Sequence, residues 1–148
     1  MAASYTEKWS ERWQLLGGIE PPAATYNSEQ NSGRIDIGNF SRIAIVVRAY
    51  DGGAETLDID HEQANAASGG TLKALHSSDF DVTMAADENA RVFEIQAEQF
   101  DTNGYFSWYN LEITPSGARN FSAEIYGLVQ YAPADESLWD GVTEYPAA

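Results

Sequence analysis

The chain has 148 residues, enough for one ordinary domain, and its 23 acidic against 8 basic residues give a formal net charge of −15. A chain this acidic, with its basic residues scattered singly, is not expected to bind nucleic acid, which requires clustered Lys and Arg. Cysteine is absent, which excludes disulfides and thiolate metal sites, and no apolar run approaches the roughly 18 residues of a membrane span, so we expect no membrane contact.

The first 34 residues differ in pattern from the rest and predict an arm outside the main fold. Ser4 and Glu7 have the spacing of a capping box. An apolar stripe at helical spacing follows, formed by Tyr5, Trp9, Trp13 and Leu16. The next two residues, Gly17 and Gly18, are typical of a helix end. We therefore predict a short helix and a Pro-containing linker within residues 1–34.

From residue 35 onward the apolar residues recur with a period of about two, which is typical of strands. The predicted strands cover 42–50, 56–63, 71–75, 80–85, 91–97, 105–114 and 120–131. Because turns rich in Gly, Asn and Asp separate them and no amphipathic helix intervenes, the sheets should be antiparallel. We predict an all-β sandwich over residues 35–134, jelly-roll or immunoglobulin-like, followed by an acidic tail at 135–148.

The stretch AETLDIDHEQA, residues 54–64, contains four side chains of metal-ligating type. On a strand, Asp58, Asp60 and Glu62 share one face, whereas His61 points to the other. Three carboxylates on one face are chemically suited to Ca²⁺, but the spacing of an EF-hand loop is missing. We interpret the acids as a solvated strand face, predict no metal site, and expect His61 to be packed or hydrogen-bonded at the margin of the core.

The sequence contains no signature of a catalytic site. It has neither a G-x-S-x-G nucleophile elbow nor a glycine-rich phosphate-binding loop, and its only histidines are His61 and His76. With 23 acidic residues, some carboxylate pair will have the spacing of a glycosidase by chance, so that criterion has no weight. We predict that the protein is not an enzyme and uses no cofactor.

Aromatic residues near both ends of the chain predict an interface. Terminal segments are usually frayed unless they dock, and large aromatic side chains are natural anchors for docking. The docking surface would be the chain's own sandwich or a neighbouring molecule, and the sequence leaves both open. The residues predicted to form the interface are Tyr5, Trp9, Trp13, Leu16, Trp139 and Tyr145.

Five segments between residues 35 and 135 follow one another in an order that carries a family resemblance. They are DIGNFSRIAIVVRAYDGGAETLDIDHEQA, TLKAL, VTMAADENARVFEIQAEQF, GYFSWYNLEIT and AEIYGLVQYAPAD. The residues at matching places are Asp36, Phe40, Arg42, Asn89, Gly104, Tyr105, Tyr131, Pro133 and Ala134. In these features the chain resembles the capsid decoration, or cement, proteins of tailed bacteriophages, which are encoded beside the major capsid protein. It departs from them in the AASGG loop after Gln63 and in its added arm and tail.

The resemblance implies a protein that binds the outer surface of the phage head and stabilises the shell by bridging subunits of the major capsid protein. It further implies synthesis in the host cytoplasm, a place on the virion and, by analogy, a homo-trimer. The high acidic charge would keep such a part soluble before assembly. The alternative is a carbohydrate- or calcium-binding adhesion module, in which Trp108 and Tyr109 stack on sugar rings and Asp58 and Asp60 bind Ca²⁺.

Overall fold

The computed structural model describes residues 12–50, 54–75 and 82–129, which form ten β-strands and two single-turn 3-10 helices. The strands are β1 (Trp13–Ile19), β2 (Gln30–Asn31), β3 (Ile35–Asp36), β4 (Phe40–Tyr50), β5 (Leu57–Ala64), β6 (Leu72–Ala74), β7 (Val82–Met84), β8 (Ala90–Gln96), β9 (Trp108–Pro115) and β10 (Asn120–Val129). The helical turns are Ala97–Gln99 and Thr102–Gly104. None of the helices in these ranges is long and apolar enough to cross a membrane.

The strands pair in two antiparallel sheets. One has four strands in the order β1-β10-β4-β8, and the other has the order β2-β9-β5-β6, with β3 also on β9 and β7 also on β5. If β2 with β3 and β6 with β7 are each counted as one broken strand, the orders become 1-8-3-6 and 2-7-4-5. That order is a jelly roll. The prediction of an antiparallel all-β sandwich is confirmed, and of its two forms the connectivity selects the jelly roll.

The core lies between the sheets and is built from alternate residues of the long strands. In β4, Ile43, Ile45 and Val47 are at most 2% exposed, while the residues between them face outward. Strand β10 of the same sheet and strands β5 and β9 of the other sheet contribute further core residues, including Leu57, Ile59, Leu111, Ile113, Phe121 and Ile125. Each such apolar side chain stabilises the fold by about 1.5–3 kcal/mol through its removal from water. The period of two in the sequence therefore has its expected physical cause.

The predicted N-terminal helix is wrong where the structure describes it. Residues 13–19 form strand β1, which pairs with β10 along its length except at a β-bulge between Leu15 and Gly17. Pairing with a neighbouring strand has overridden the helical spacing of the apolar residues, as tertiary contacts often override local propensity. The predicted linker likewise contains β2, which pairs with β9. Residues 1–11 and 130–148 lie outside the described ranges, and the division into arm, sandwich and tail stays a prediction.

A buried arginine ties together the loops at one end of the sandwich. Arg119 is 1% exposed and donates hydrogen bonds to four loop carbonyls, those of Glu55 (2.7 Å), Ala85 (3.4 Å), Ala86 (3.0 Å) and Glu88 (3.1 Å). Its backbone also exchanges two hydrogen bonds with Tyr26. Buried carbonyl oxygens need such donors, because leaving them unpaired is costly. Arg119 therefore has a structural role that the sequence pattern did not indicate.

Candidate interaction surfaces

The outer face of the four-stranded sheet carries a patch of apolar side chains. Directly paired residues point to the same side of a sheet, and the apolar members of the rows that face away from the core are Trp13 and Leu128 in one row, Leu15, Tyr126 and Ala44 in the next, and Val46 and Val92 in the third. We call these seven residues the apolar face. Val92 is 63% exposed, and the other six are half-buried. A sheet face turned to water normally carries polar side chains, so a contiguous apolar patch indicates a contact surface.

Charged side chains border the apolar face and also enter its rows, since Glu94 is paired with Ala44 and Glu124 with Val46. Arg42 lies 3.7 Å from Glu94 in an exposed ion pair, and Arg48 is also exposed. The Tyr126 hydroxyl is hydrogen-bonded to Glu124, and burial together with this carboxylate raises the pKa of Tyr126. Protein interfaces commonly combine apolar contacts with charged and polar side chains in this way.

Both ends of the described chain meet at the apolar face. Trp13, one residue from the first described position, is paired with Leu128, one residue from the last strand position of β10. The segments 1–11 and 130–148 therefore join the sandwich at the same corner of this face.

Of the predicted interface residues, only two lie in the described ranges. Trp13 belongs to the apolar face, whereas Leu16 packs against the core. Tyr5, Trp9, Trp139 and Tyr145 lie outside the described residues, so their role stays a prediction. The sequence analysis missed Leu15, Val46 and Val92. The available signal was the run IAIVV in β4, which is apolar on both faces of its strand.

The outer face of the six-stranded sheet has the opposite character. We call its row of acids and amides, formed by Asn31, Asp58, Asp60, Glu62, Asn110 and Glu112, the acidic face. Asn110 links neighbouring strands, because its amide nitrogen donates to Glu62 Oε1 at 2.8 Å and to Asn31 Oδ1 at 3.0 Å. Asp60 pairs with Glu112 in the register of β5 and β9. Burial raises the pKa of Glu112 to about 7, and the neighbouring carboxylates of Glu62, Glu29 and Asp60 add to the effect.

The acidic face does not assemble into a cation site. Within residues 12–50, 54–75 and 82–129, no three Asp, Glu or His side chains converge closely enough to hold a metal ion. Asp58 accepts a hydrogen bond from Thr83 at 2.8 Å, and Glu62 accepts one from Asn110. Asp58, Asp60 and Glu62 follow the strand face, as the two-residue spacing predicted, and the carboxylates of Asp58 and Glu62 form hydrogen bonds to neighbouring strands.

His61 points into the core, which confirms the predicted orientation. It is fully buried, its Nδ1 lies 2.5 Å from the Tyr109 hydroxyl, and its ring meets Phe93 edge-on at 4.6 Å between centroids. Tyr109 is also fully buried, so the expectation that it stacks on a sugar ring is wrong. Trp108 is half-buried and lies in the row of Ala64 on the outer face of the six-stranded sheet.

Comparison with known proteins gives similarity in shape only. No family model matches the chain, and no curated protein sequence matches it significantly. Similar solved structures include a chain of the Triatoma virus empty capsid (9% identity, 99% of this chain and 100% of that chain covered, TM-score 0.45). A second is Sacbrood virus of honeybee (9% identity, 91% of this chain and 82% of that chain covered, TM-score 0.43). A third is the N-terminal cellulose-binding domain from Cellulomonas fimi beta-1,4-glucanase C (8% identity, 90% of this chain and 99% of that chain covered, TM-score 0.38). Viral capsid chains and carbohydrate-binding domains are thus both among the similar structures, and the likenesses are too distant to argue for a function.

Proposed function

We propose that the protein is a capsid decoration, or cement, protein of a tailed bacteriophage, which docks on the outer surface of the head through its apolar face. The observation that carries the proposal is the row of outward apolar side chains around Val46 and Val92 on the four-stranded sheet. The resemblance of residues 35–135 to this protein family gives the partner, the major capsid protein. A homo-trimer on the shell is part of the proposal and comes from analogy alone.

The geometry is suited to cementing a shell. A stiff sandwich presents the apolar face as one rigid surface, so little conformational entropy is lost when it docks. The terminal segments, which contain Trp9 and Trp139, start beside the same face and would extend the contact to a neighbouring subunit. Because the protein would bind the assembled shell only, its binding energy adds to the stability of the assembled state. Many copies per head would make modest individual contacts sufficient.

Charge supports the same assignment. A net charge of −15 keeps the free protein soluble although it carries an apolar face, and it repels the packaged DNA. A basic or neutral outer capsid surface is the complementary partner.

The proposal is tested by co-sedimentation with empty, expanded capsids of the phage. Val92→Lys places a charge in the apolar face, and we expect it to weaken binding by about tenfold or more. The matched control is Leu72→Lys, since Leu72 is also exposed, at 40%, but lies in the other sheet. Removal of residues 1–11 should weaken pelleting without touching β1. Equal pelleting of the Val92 and Leu72 variants would contradict the proposed surface, and no pelleting of the parent protein at any salt concentration would contradict the proposed function.

A further inference from the structure

Strand β8 forms an unprotected edge of the four-stranded sheet. It pairs with β4 on one side, and within residues 12–50, 54–75 and 82–129 no further strand lies on its other side. A free strand edge presents unpaired backbone N–H and C=O groups, and natural proteins usually protect it with a bulge, a lysine, a proline or a very short strand. β8 has none of these features, because its seven residues, ARVFEIQ, pair with β4 without a register shift.

The other edges of the two sheets carry such protection. At the opposite edge of the four-stranded sheet, β1 contains the β-bulge between Leu15 and Gly17. In the six-stranded sheet, β2 and β3 have two residues each, and β6 and β7 have three residues each, with Lys73 in β6. β8 is therefore the long, regular edge of the described structure. This contrast indicates that the β8 edge is a contact site.

The backbone groups that point out of this edge belong to alternate residues of β8, namely Ala90, Val92 and Glu94. The N–H of Ala49 on β4 donates to the carbonyl oxygen of Asn89 at 2.9 Å, so the groups of Asn89 point to β4 and those of the next residue point away. The N–H of Gln96 follows the same alternation, since it donates to Gln99 Oε1 at 2.7 Å and not to β4. All three edge residues are exposed, Val92 by 63%. An extended segment can therefore add to the sheet here.

The residues of this edge are complementary to a second copy of themselves. A two-fold axis at Val92 places Val92 opposite the same residue of the second copy, and the outward backbone groups of the two strands then face one another, as an antiparallel ladder requires. In this register Ala90 lies opposite Glu94, and Arg91 lies opposite Phe93. Like charges therefore do not face each other, and Arg91 with Glu94 makes the strand locally neutral in a chain of net charge −15. We propose that β8 pairs antiparallel with β8 of a second copy about this axis.

The pairing also extends the apolar face. Val92 lies in the row of Val46 on the outer side of the sheet. A two-fold axis perpendicular to the sheet keeps the outer sides of both copies on the same side, so these valines of the two copies form one continuous row. This continuity favours a second copy over an unrelated strand as the occupant of the edge. On a shell, the two-fold contact would join neighbouring trimers and not the subunits of one trimer, but the pairing itself needs no capsid.

Sedimentation velocity of the full-length protein tests the pairing, over about 10 μM to about 500 μM protein in about 0.5 M NaCl. We expect the mass to rise from 16.2 kDa towards that of a dimer. The rise should be smaller at low salt, because the net charge of each copy opposes association. Over the same protein concentrations, amide hydrogen exchange measured by NMR should slow at Ala90, Val92 and Glu94, whose N–H groups gain partners in the dimer.

A proline at the edge separates backbone pairing from side-chain contacts. Glu94→Pro removes an outward N–H without removing a hydrogen bond to β4, and proline is tolerated at such edge positions. We expect dimerisation to weaken by about tenfold or more. The matched control, Glu94→Ala, keeps the N–H and should dimerise at least as well as the parent. Ala90→Pro makes the same test at the first residue of β8, where proline is best tolerated, if Glu94→Pro lowers the Tm strongly.

The proposal is overturned if the protein stays monomeric at every salt and protein concentration. It is also overturned if both proline variants dimerise as Glu94→Ala does, because another surface would then form the contact. Slow exchange of the edge amides that does not change with protein concentration would mean that a segment of the same chain covers the edge, which also contradicts the proposal. None of these measurements uses capsids, so this proposal and the proposed function fail separately.

Discussion

Glu112 lies directly opposite Asp60 in the pairing of β9 with β5, and Glu62 lies diagonally across from it. Carboxyl groups placed this close together on one sheet face disfavour one another's ionised form. Burial, aided by the carboxylates of Glu62, Glu29 and Asp60, raises the pKa of Glu112 to about 7. The acidic face is therefore only partly charged near neutral pH.

The first prediction concerns stability against pH. The pKa of Glu112 is higher in the folded protein than in the unfolded chain, so the folded protein binds this proton more tightly. The resulting contribution to the free energy of unfolding is fully present below the ordinary pKa of a glutamate and is lost as pH rises through about 7. We expect the free energy of unfolding to fall by on the order of 1–3 kcal/mol between about pH 5 and pH 8. Urea unfolding at a series of pH values measures it.

Glu112→Gln separates this effect from the general repulsion of an acidic chain. The amide is close to the carboxyl group in size but does not titrate, so the fall in the free energy of unfolding between about pH 5 and pH 8 should become less steep. Glu94→Gln removes an acid from the exposed Arg42 pair and should leave the slope unchanged. If the Glu112 and Glu94 variants show the same slope as the parent, the proton does not reside on Glu112.

The second prediction concerns the polar pair in the core. Tyr109→Phe removes the hydroxyl that lies 2.5 Å from His61 Nδ1, in a region without exposure to water. We expect a loss of about 1–2 kcal/mol in the free energy of unfolding, because a buried polar group loses its partner. Tyr26→Phe is the control: its hydroxyl binds the Glu20 carbonyl at an exposed site and should cost much less. Equal costs would mean that the buried hydrogen bond has no special weight.

The third prediction concerns the buried arginine. Arg119→Met keeps most of the side-chain volume but removes the donors to the carbonyls of Glu55, Ala86 and Glu88. We expect a loss of about 3 kcal/mol or more, measured by urea unfolding. Arg91→Met is the control, because Arg91 forms a partly exposed pair with Glu88 that should contribute about 1 kcal/mol or less. A similar cost for both variants would show that the loops do not depend on Arg119.

Much of the fold was predictable because its signals are local. The alternation in RIAIVVRAY and LDIDHEQA directly gives the strands β4 and β5, and it correctly placed His61 on the inner side of its strand. The strand order was not predictable, since it depends on pairings between residues far apart in sequence, such as Phe121 with Ala49. Alternation is the same in a jelly roll and an immunoglobulin-like sandwich.

The apolar face and the acidic face could not be predicted from the sequence for the same reason, because each depends on how the strands pair. The outward residues Ala44 and Val46 look unremarkable in β4 alone and become a patch only when Leu15, Tyr126 and Val92 lie beside them. On the opposite sheet, the interaction of Glu62 with Glu112 likewise depends on the pairing of β5 with β9. A single strand shows which residues face outward, and only the sheet shows which of them meet.

The two glycines of β1 explain why a helix was predicted there. Gly17 and Gly18 follow an apolar stripe, as the glycines at a helix end do. In the structure Gly18 allows close strand packing, because a Cβ there would overlap the backbone carbonyl oxygen of Ala123 on β10. A Cβ on Gly17 would come 3.1 Å from the end of the Ile35 side chain, which can move. Gly18 is thus required for strand pairing, and neither glycine ends a helix.

The last prediction follows from that difference. Gly18→Ala should destabilise the protein by about 2 kcal/mol, because the overlap is with backbone and β1 must shift away from β10. Gly17→Ala should cost less, since only a flexible side-chain end has to give way. Urea unfolding measures both, and faster amide hydrogen exchange confined to β1 would locate the damage. An equal, small cost for the two variants would contradict the close approach of β1 to β10. Because Trp13 and Leu15 lie on β1, Gly18→Ala should also weaken capsid pelleting more than Gly17→Ala does, as expected if this strand carries part of the docking surface.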